Sequence, residues 1–312
     1  MPELALSELI SSVDPACLAD TVRREEENYR AQLVRTAEAI LKKGARVVLL
    51  AGPSASGKTT TANLLSDLLT SMGKESDVVS LDNFYRDGND PDYPRTPSGE
   101  QDFECVESLR IPLIRESIGH ILRGEDFSIP RFDFGTHTYE DGAIPVGAGE
   151  GSVTVIEGLH ALNPILTEGL PEDKLFGIFI SVSTNLNLGD RRLLSGRKCR
   201  FIRRLTRDHL YRHSDASRTL SLWSGVVDGE EKYLYPFRDR ADCSLNTFHL
   251  FELSVMRPYT LRVLSEGAAA RDPYALRIRA ALSLVPVMSL SDVPETSLIR
   301  EFVPGGIYET LY

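Results

Sequence analysis

The segment from Val47 to Thr60, VVLLAGPSASGKTT, constrains the fold of this 312-residue chain more than any other. An apolar run leads into Gly52-x-x-x-x-Gly57-Lys58-Thr59, the pattern of a loop whose backbone N–H groups surround phosphates. Such a loop lies between a buried strand and a helix that presents its positive end to the anion. The segment therefore predicts a nucleoside triphosphate site in an α/β fold, and it leaves the destination of the phosphate open.

Composition limits the class of protein. The formal net charge of −10 argues against nucleic acid or an anionic membrane surface as the main partner. No apolar run approaches the roughly 18 residues of a membrane span, and the acidic N-terminus lacks the basic start of a signal peptide. The four cysteines are far apart, which offers neither a zinc site nor a disulfide framework and favours a reducing compartment. We expect a cytoplasmic protein.

Hydrophobic periodicity predicts strands and helices that alternate along the chain. Buried strands are predicted at residues 46–50, 77–81, 152–156 and 175–182. Helices are predicted at residues 20–43, 58–72 and 112–123, and the chain beyond residue 187 is predicted to be mostly helical. Short strands in FSIP and GAIPV flank RFDFGTHTYED and predict a small β-hairpin region. This order predicts a three-layer P-loop NTPase fold, with helices on both faces of a mostly parallel sheet.

Two acids are predicted to lie beside the phosphates, because ligands of open α/β sheets bind at the carboxyl ends of the strands. Asp82 follows VVSL, and Glu157 follows SVTVI. A kinase needs one acid to take the acceptor's hydroxyl proton and another to hold magnesium. A lone acid in such a place is usually a cap or turn residue, but a pair beside a complete phosphate loop favours function.

The phosphate loop itself supplies the remaining groups. Lys58 is predicted to reach the β- and γ-phosphates, and the Thr59 hydroxyl is predicted to bind magnesium. The predicted nucleotide-binding set is Gly52, Pro53, Ser54, Ala55, Ser56, Gly57, Lys58, Thr59 and Thr60.

An arginine-rich segment, CRFIRRLTRDHLYR, is predicted to be helical. Four arginines at i, i+3, i+4 and i+7 fall on one face: Arg200, Arg203, Arg204 and Arg207. With only Asp208 as a local partner in an acidic chain, the stripe indicates an anion, although a solvated face paired with distant acids is the alternative. We predict a lid over ATP, in which Arg200 and Arg203 stabilise the charge on the transferred phosphoryl group.

Taken together, these motifs resemble the phosphoribulokinase/uridine kinase family of P-loop kinases. The matching segments are GPSASGKTT, SLDNFYRD, DFECVESL, IPRFDFGTH, VIEGLHALN and RFIRRLTRDHLYR, while DGEEKYLYPF and SLIREFVPGG resemble a bacterial uridine kinase-like branch. The resemblance covers roughly residues 20–306. It implies ATP, Mg²⁺, a small-molecule substrate and a homodimer or homotetramer.

The resemblance also implies roles for individual side chains. Asp82, in the family's D-x-F-Y position, would be the general base, and Glu157, before the Gly of EGLH, the magnesium-associated carboxylate. Tyr85 and Arg207 would contact the substrate. Glu104 falls where uridine kinases carry an Asp that binds the ribose hydroxyls, and the nearby Asp102 could substitute for it.

The predicted base-reading residues depart from the family pattern. Phe132 and His137 fall where uridine kinases read the pyrimidine with a Tyr and a His, so the phenol oxygen is absent here while the His is kept. Tyr139 replaces a usual Arg just beyond. These departures bear on which base, and which nucleoside, the chain accepts.

We predict a domain order of three parts: an N-terminal helical extension (1–45), a P-loop kinase domain (46–265) with a lid at about 187–215, and a C-terminal helix and tail packed on the core (266–312). The segment 86–101, which contains three prolines, is long for a connection and is predicted to cover the substrate.

The predicted reaction is ATP-dependent phosphoryl transfer to the 5′-hydroxyl of a pyrimidine ribonucleoside. A kinase of the same family that acts on a sugar phosphate or a pantothenate-like alcohol is the nearest alternative, favoured by the missing phenol. A regulatory ATPase is a second alternative, although no N-K-x-D-like base reader of GTPases is visible. A nucleotide-binding protein without catalysis is the third, and the intact Lys58, Thr59, Asp82 and Glu157 argue against it.

Overall fold

A computed structural model of the chain describes residues 2–96 and 99–308. Its strands are β1 (Glu3–Ala5), β2 (Val47–Ala51), β3 (Ser76–Ser80), β4 (Phe127–Asp133), β5 (Thr138–Val146), β6 (Val153–Glu157), β7 (Leu175–Ser181), β8 (Asn185–Leu188), β9 (Arg191–Leu194) and β10 (Cys243–Asn246). Its α-helices are α1 (Leu6–Ser12), α2 (Leu18–Lys43), α3 (Lys58–Ser71), α4 (Ile111–Arg123), α5 (Gly196–Tyr211), α6 (Ala216–Tyr233), α7 (Glu252–Val263) and α8 (Pro273–Leu282).

The central sheet has five parallel strands in the order β10-β7-β2-β6-β3. Both faces are buried because side chains alternate along each strand. One face packs on α2 and α3 through Val48, Leu50, Val155 and Ile178. The other face packs on α4 through Val47, Leu49, Ile156 and Phe179. This is the predicted three-layer α/β fold, and the sheet brings the ends of β2, β3 and β6 to one edge.

Two β-hairpins lie outside the central sheet. Strands β4 and β5 pair antiparallel, as FSIP and GAIPV predicted, although both are longer than those two segments. Strands β8 and β9 form the second hairpin, and β1 pairs parallel with β8.

The prediction for the chain beyond residue 187 and that for the N-terminus missed four short strands. Strands β8, β9 and β10 are four residues long and β1 only three, too short to display a period-two pattern. Their pairing depends on residues that are distant in the sequence. For example, the side-chain amides of Asn185 and Asn187 donate hydrogen bonds to the carboxylate of Glu3 at 2.9 and 2.6 Å.

Helix α5, within the predicted lid, is tied to the main core. Its apolar side chains Cys199, Phe201, Ile202 and Leu205 are buried in the same cluster as residues of α7. The C-terminal segment also packs on this cluster, through Leu298, Ile299, Phe302 and Val303. Among the described residues, no helix combines the length and the apolarity needed to cross a bilayer.

Candidate active site

A cavity of about 740 Å³ opens at the carboxyl ends of β2, β3 and β6. Open parallel sheets bind ligands at this edge, because helix N-termini and loops converge there. One wall is the predicted phosphate loop, a second wall carries aromatic side chains, and the third comes from α5 and the chain after it. The cavity therefore joins a possible nucleotide site to a possible acceptor site.

The phosphate loop turns into α3 at Gly57. Its φ of +91° lies in the left-handed region, where a side chain would be strained. Helix α3 begins at Lys58, so the amides of its first turn have no partners inside the helix. Lys58 Nζ lies 3.3 Å from the Pro53 carbonyl oxygen, to which it donates a hydrogen bond. This geometry is suited to binding an anion.

A buried ion pair holds the first half of the loop. Arg200 binds both carboxylate oxygens of Glu230, at 2.7 and 2.8 Å, and both side chains are almost fully buried. Glu230 Oε1 accepts a hydrogen bond from the Ser54 amide at 2.9 Å, and Arg200 donates to the Ser54 carbonyl oxygen at 2.9 Å. The pair therefore fixes the orientation of both peptide groups that flank Ser54.

A second buried ion pair holds the other half. Arg203 binds Glu252 at 2.6 and 3.1 Å, and neither side chain is exposed. Arg203 also donates to the carbonyl oxygens of Ala55 (3.5 Å) and Ser56 (3.3 Å). Because these carbonyl groups are drawn away from the cavity, the loop amides are left to face it.

The arginine stripe is thus divided between two positions. Arg200 and Arg203, predicted to stabilise the transferred phosphoryl group, lie behind the loop, where their guanidinium groups are engaged by Glu230 and Glu252. One turn further along α5, Arg204 and Arg207 line the cavity. The spacing in the sequence showed that the four arginines share one face of the helix. It could not show which of them lie behind the phosphate loop and which line the cavity.

The two predicted acids meet beside the phosphate loop. In the register of the sheet Glu157 lies opposite both Leu50 and Ser80, and Asp82 follows Ser80 by two residues. Thr59 Oγ1 lies 3.5 Å from Glu157 Oε1. Burial, and secondarily the charge of Asp82, raises the pKa of Glu157 to about 7. Two hard oxygen donors in this buried position suit a magnesium ion, which would favour the ionised carboxylate.

The aromatic wall is built around Tyr85. Its ring centroid lies 5.4 Å from that of Phe132, 6.1 Å from that of Phe103 and 5.9 Å from that of Phe134. Phe134 is 45% exposed and lines the cavity, whereas Phe132 is 6% exposed and supports Tyr85 from behind. The predicted base-reading Phe132 is therefore a packing residue in this structure, and Phe134, in the tight turn of the hairpin, faces the cavity.

His137 also lines the cavity. Its backbone is in the left-handed region, at φ +57°, and its ring contacts that of Phe103 at a centroid distance of 5.3 Å. The Gly88 amide donates to the His137 carbonyl oxygen at 2.8 Å. The predicted substrate-covering segment 86–101 thus supports the hairpin here and contributes no cavity-lining residue among those described; its Pro97 lies outside the described residues.

Glu104 lines the cavity between the aromatic wall and α6. Burial raises its pKa to about 7, and the charge of Arg204 opposes that shift. A Cβ at Gly229 of α6 would lie 2.6 Å from the Glu104 Cβ, so a glycine is required for this close approach. Asp102, the predicted substitute, instead accepts hydrogen bonds from the amides of Glu104 (3.0 Å) and Cys105 (3.2 Å). It shapes the turn that presents Glu104.

Several cavity residues were not singled out in the sequence: Phe103, Phe134, Tyr211, Arg212, His213, Arg218 and Glu301. Phe134 shares the predicted hairpin with Phe132 and could have been found there. Glu301 is brought in from about 240 residues beyond the loop, and no local pattern indicates it.

Comparison with known proteins identifies the family. The model of the Phosphoribulokinase / Uridine kinase family matches residues 47–251, more than half of the chain, and the chain therefore belongs to this family. A uridine kinase of Deinococcus deserti is 31% identical over 52% of this chain and 68% of its own length. A uridine kinase of Halobacterium salinarum is 24% identical over 62% and 76%.

A solved structure, a putative fructose transport system kinase from Silicibacter sp. TM1040, is 20% identical over 68% of this chain and 98% of its own, with a TM-score of 0.49. The family membership makes this chain an ATP-dependent kinase with a small-molecule substrate.

Proposed function

We propose that this kinase transfers the γ-phosphoryl group of ATP to the 5′-hydroxyl of a pyrimidine ribonucleoside. The observation that carries the proposal is the lining of the cavity, which combines Asp82, the phosphate loop and a set of aromatic rings. Rings of this kind stack on a planar base, and the phosphate loop accounts for the nucleotide.

The nucleotide would bind to the loop through the amides from Ala55 to Thr60, with Lys58 at the β- and γ-phosphates. Thr59 and Glu157 would hold a magnesium ion, which when bound neutralises phosphate charge. Arg204 and Arg207, which line the cavity, would contact the phosphates from the opposite wall. In this proposal Arg200 and Arg203 act indirectly, by orienting the loop carbonyls.

The acceptor hydroxyl would lie against Asp82, which takes its proton as the oxygen attacks the γ-phosphorus in line. Glu104 would bind the ribose hydroxyls, and its raised pKa lets it accept or donate a hydrogen bond near neutral pH. Tyr85, Phe103 and Phe134 would stack on the base or close over it, and His137 would contact its edge. Catalysis would come from positioning and electrostatics, since no covalent intermediate is needed.

A second candidate is a kinase of an acceptor that already carries a phosphate, such as a sugar phosphate. The observation that favours it is the position of Arg212 and Arg218 on the cavity wall, because guanidinium groups bind phosphates well. The same cavity could then hold two phosphate-bearing ligands.

Acceptor-dependent ADP release with magnesium-ATP tests both candidates. The acceptors would be uridine, cytidine, purine nucleosides, ribulose 5-phosphate and pantothenate. A strong signal with uridine or cytidine alone supports the first proposal. A signal with ribulose 5-phosphate alone supports the second, and slow hydrolysis that no acceptor stimulates contradicts both.

Two further properties stay proposals that follow from the sequence. We propose a homodimer or homotetramer, which the family resemblance implies, and a cytoplasmic location. Size-exclusion chromatography with light scattering tests the first, and fractionation of cells that express the tagged chain tests the second.

A further inference from the structure

The C-terminal segment 297–303 packs directly on the phosphate loop. A Cβ placed on Gly57 would lie 2.7 to 2.9 Å from the side chain of Leu298, which shows that this side chain packs directly against the Gly57 backbone. Leu298 opens a short turn that also carries Glu301, and this turn points the glutamate towards the start of α3. A residue distant in sequence is thereby placed at the predicted nucleotide site.

Glu301 binds an amide at the start of α3. Its Oε2 accepts a hydrogen bond from the Thr60 N–H at 3.1 Å, and the side chain is about 5% exposed. The Thr61 amide already donates to the Gly57 carbonyl oxygen, so Thr60 carries the last N–H of α3 without a partner inside the helix. Phosphates bound at a helix N-terminus use these first-turn amides. A nucleotide and Glu301 would therefore compete for the same donor.

Glu301 also faces an arginine of the cavity. Its Oε1 lies 3.8 Å from Arg207 Nη1, and both side chains are largely buried. One carboxylate thus contacts a first-turn amide and a guanidinium group, the two kinds of partner that a phosphate would select. Its negative charge lies where a second anion would be repelled.

We propose that Glu301 is an internal competitor of the nucleotide phosphates, and that nucleotide binding displaces its carboxylate from the Thr60 amide and loosens the segment 297–303. This inference rests on the nucleotide site of the proposed function. The Arg300 guanidinium group donates hydrogen bonds to the carbonyl groups of Leu290, Val293, Pro294 and Pro304, which all lie outside the segment, so the loosening would extend over residues 290–304. Glu301 would thus set the affinity for nucleotide and couple it to the C-terminal segment.

Calorimetric titration with ADP in the absence of magnesium measures the Kd and tests the competition. E301Q removes the charge and keeps a hydrogen-bond acceptor, and E301A removes both. We expect the Kd for ADP to fall about threefold to thirtyfold in E301A, the range for one anion at a helix N-terminus, and by less in E301Q. E295Q, at an exposed position two residues before the segment, makes the same charge change and should leave the Kd unaltered.

Hydrogen exchange measured by mass spectrometry tests the displacement. In the wild type, ADP should raise the exchange rate of amides in 297–303 by about threefold or more, although ligands usually protect the segments they contact. In E301A the rate should already be raised without ADP.

Three results would overturn the inference. Weaker ADP binding in E301A and E301Q, with protection of the segment, would make Glu301 a nucleotide-binding residue. An unchanged Kd in a chain that binds ADP contradicts the competition alone. A chain that binds ADP in neither the wild type nor E301A contradicts the proposed function as well.

Discussion

The two walls of the cavity are held by different kinds of contact. The carbonyl groups of the phosphate loop accept hydrogen bonds from two arginines, each fully buried in an ion pair with a glutamate, Arg200 with Glu230 and Arg203 with Glu252. The acceptor wall is a set of ring contacts around Tyr85, and its outermost ring, Phe134, is 45% exposed. One wall is fixed by buried charge, and the other by packing at a surface.

This difference suits the two ligands that we propose. A triphosphate presents the same oxygens in every kinase, so a loop with fixed peptide orientations serves any of them. An acceptor differs between members of one family, and rings that pack on one another can be exchanged without leaving a buried charge unpaired. The difference predicts that substitutions behind the loop lower the free energy of unfolding and weaken nucleotide binding. Substitution of the exposed ring, Phe134, should change only the KM for the acceptor.

The largest effect is expected from removing Glu230. In Glu230→Ala the Arg200 guanidinium is buried without its carboxylate, and the Ser54 amide loses its acceptor. Breaking one partner of a buried pair typically costs about 3–5 kcal/mol in the free energy of unfolding. Urea denaturation measures this loss, and we expect ADP binding to weaken as well, since the loop is no longer oriented.

The neighbouring residue provides a matched control. Glu231 pairs with Arg197 on the surface, where its side chain is 56% exposed. Glu231→Ala should change the free energy of unfolding by less than about 1 kcal/mol. Equal losses in the two variants would show that the buried pair does not hold the loop.

The second effect concerns chemistry at the boundary between the walls. In Asp82→Asn the acceptor hydroxyl has no base, and we expect kcat to fall by about 10²-fold or more while the Kd for ADP is retained. Acceptor-dependent ADP release and calorimetry measure the two quantities. Asp92→Asn changes an exposed acid outside the cavity and should behave as wild type. Turnover close to wild type in Asp82→Asn would remove Asp82 from its proposed role.

The fold followed from the sequence because its strongest signals are local. Buried apolar runs at β2, β6 and β7 alternate with amphipathic helices, and the glycine pattern fixes the turn into α3. The short strands β1, β8, β9 and β10 were missed, because three or four residues carry no period and their pairing depends on tertiary contacts. Sheet edges of this kind are decided by tertiary contacts.

The candidate site divides in the same way. Asp82, Glu157, Lys58 and Thr59 could be placed from strand ends and one motif, since parallel strands bring their carboxyl ends together. The partners of Arg200 and Arg203 could not be, because Glu230 and Glu252 lie on other helices, 30 and 49 residues away. A stripe of arginines looks the same whether it faces a ligand or buried carboxylates.

The third effect is a pH dependence of the free energy of unfolding, caused by a carboxyl group beside the phosphate loop. Burial raises the pKa of Glu157 from its ordinary 4.5 to about 7, so between these values the folded chain keeps a proton that the unfolded chain has released. The free energy of unfolding of the ligand-free protein should therefore fall as the pH rises through this window. Glu104, whose pKa is also raised to about 7, contributes in the same direction.

Glu157→Gln isolates the contribution of one carboxyl group to the pH dependence of the free energy of unfolding. Its free energy of unfolding should match that of the wild type near pH 4.5 and exceed it by about 3 kcal/mol above pH 7, because the amide has no charge to bury. Urea denaturation at a series of pH values measures the difference. A constant difference across the window would mean that Glu157 is ionised in the folded chain throughout.

The smallest effect is expected at the exposed ring of Phe134, and it should change only the KM for the acceptor. Phe134→Leu keeps an apolar side chain but removes the exposed ring, and stacking of a base on such a ring is worth about 1–3 kcal/mol. Because Phe134 is half exposed, we expect the lower end of that range, a rise of about fivefold in the KM for the acceptor, with the Kd for ADP and the stability retained. Phe132→Leu, the matched change at the buried ring two residues earlier, should cost up to about 1.5 kcal/mol of stability and leave the KM unaltered. If Phe132→Leu raises the KM and Phe134→Leu does not, the buried ring contacts the acceptor, as the sequence predicted. The proposal that the exposed ring makes this contact would then be wrong.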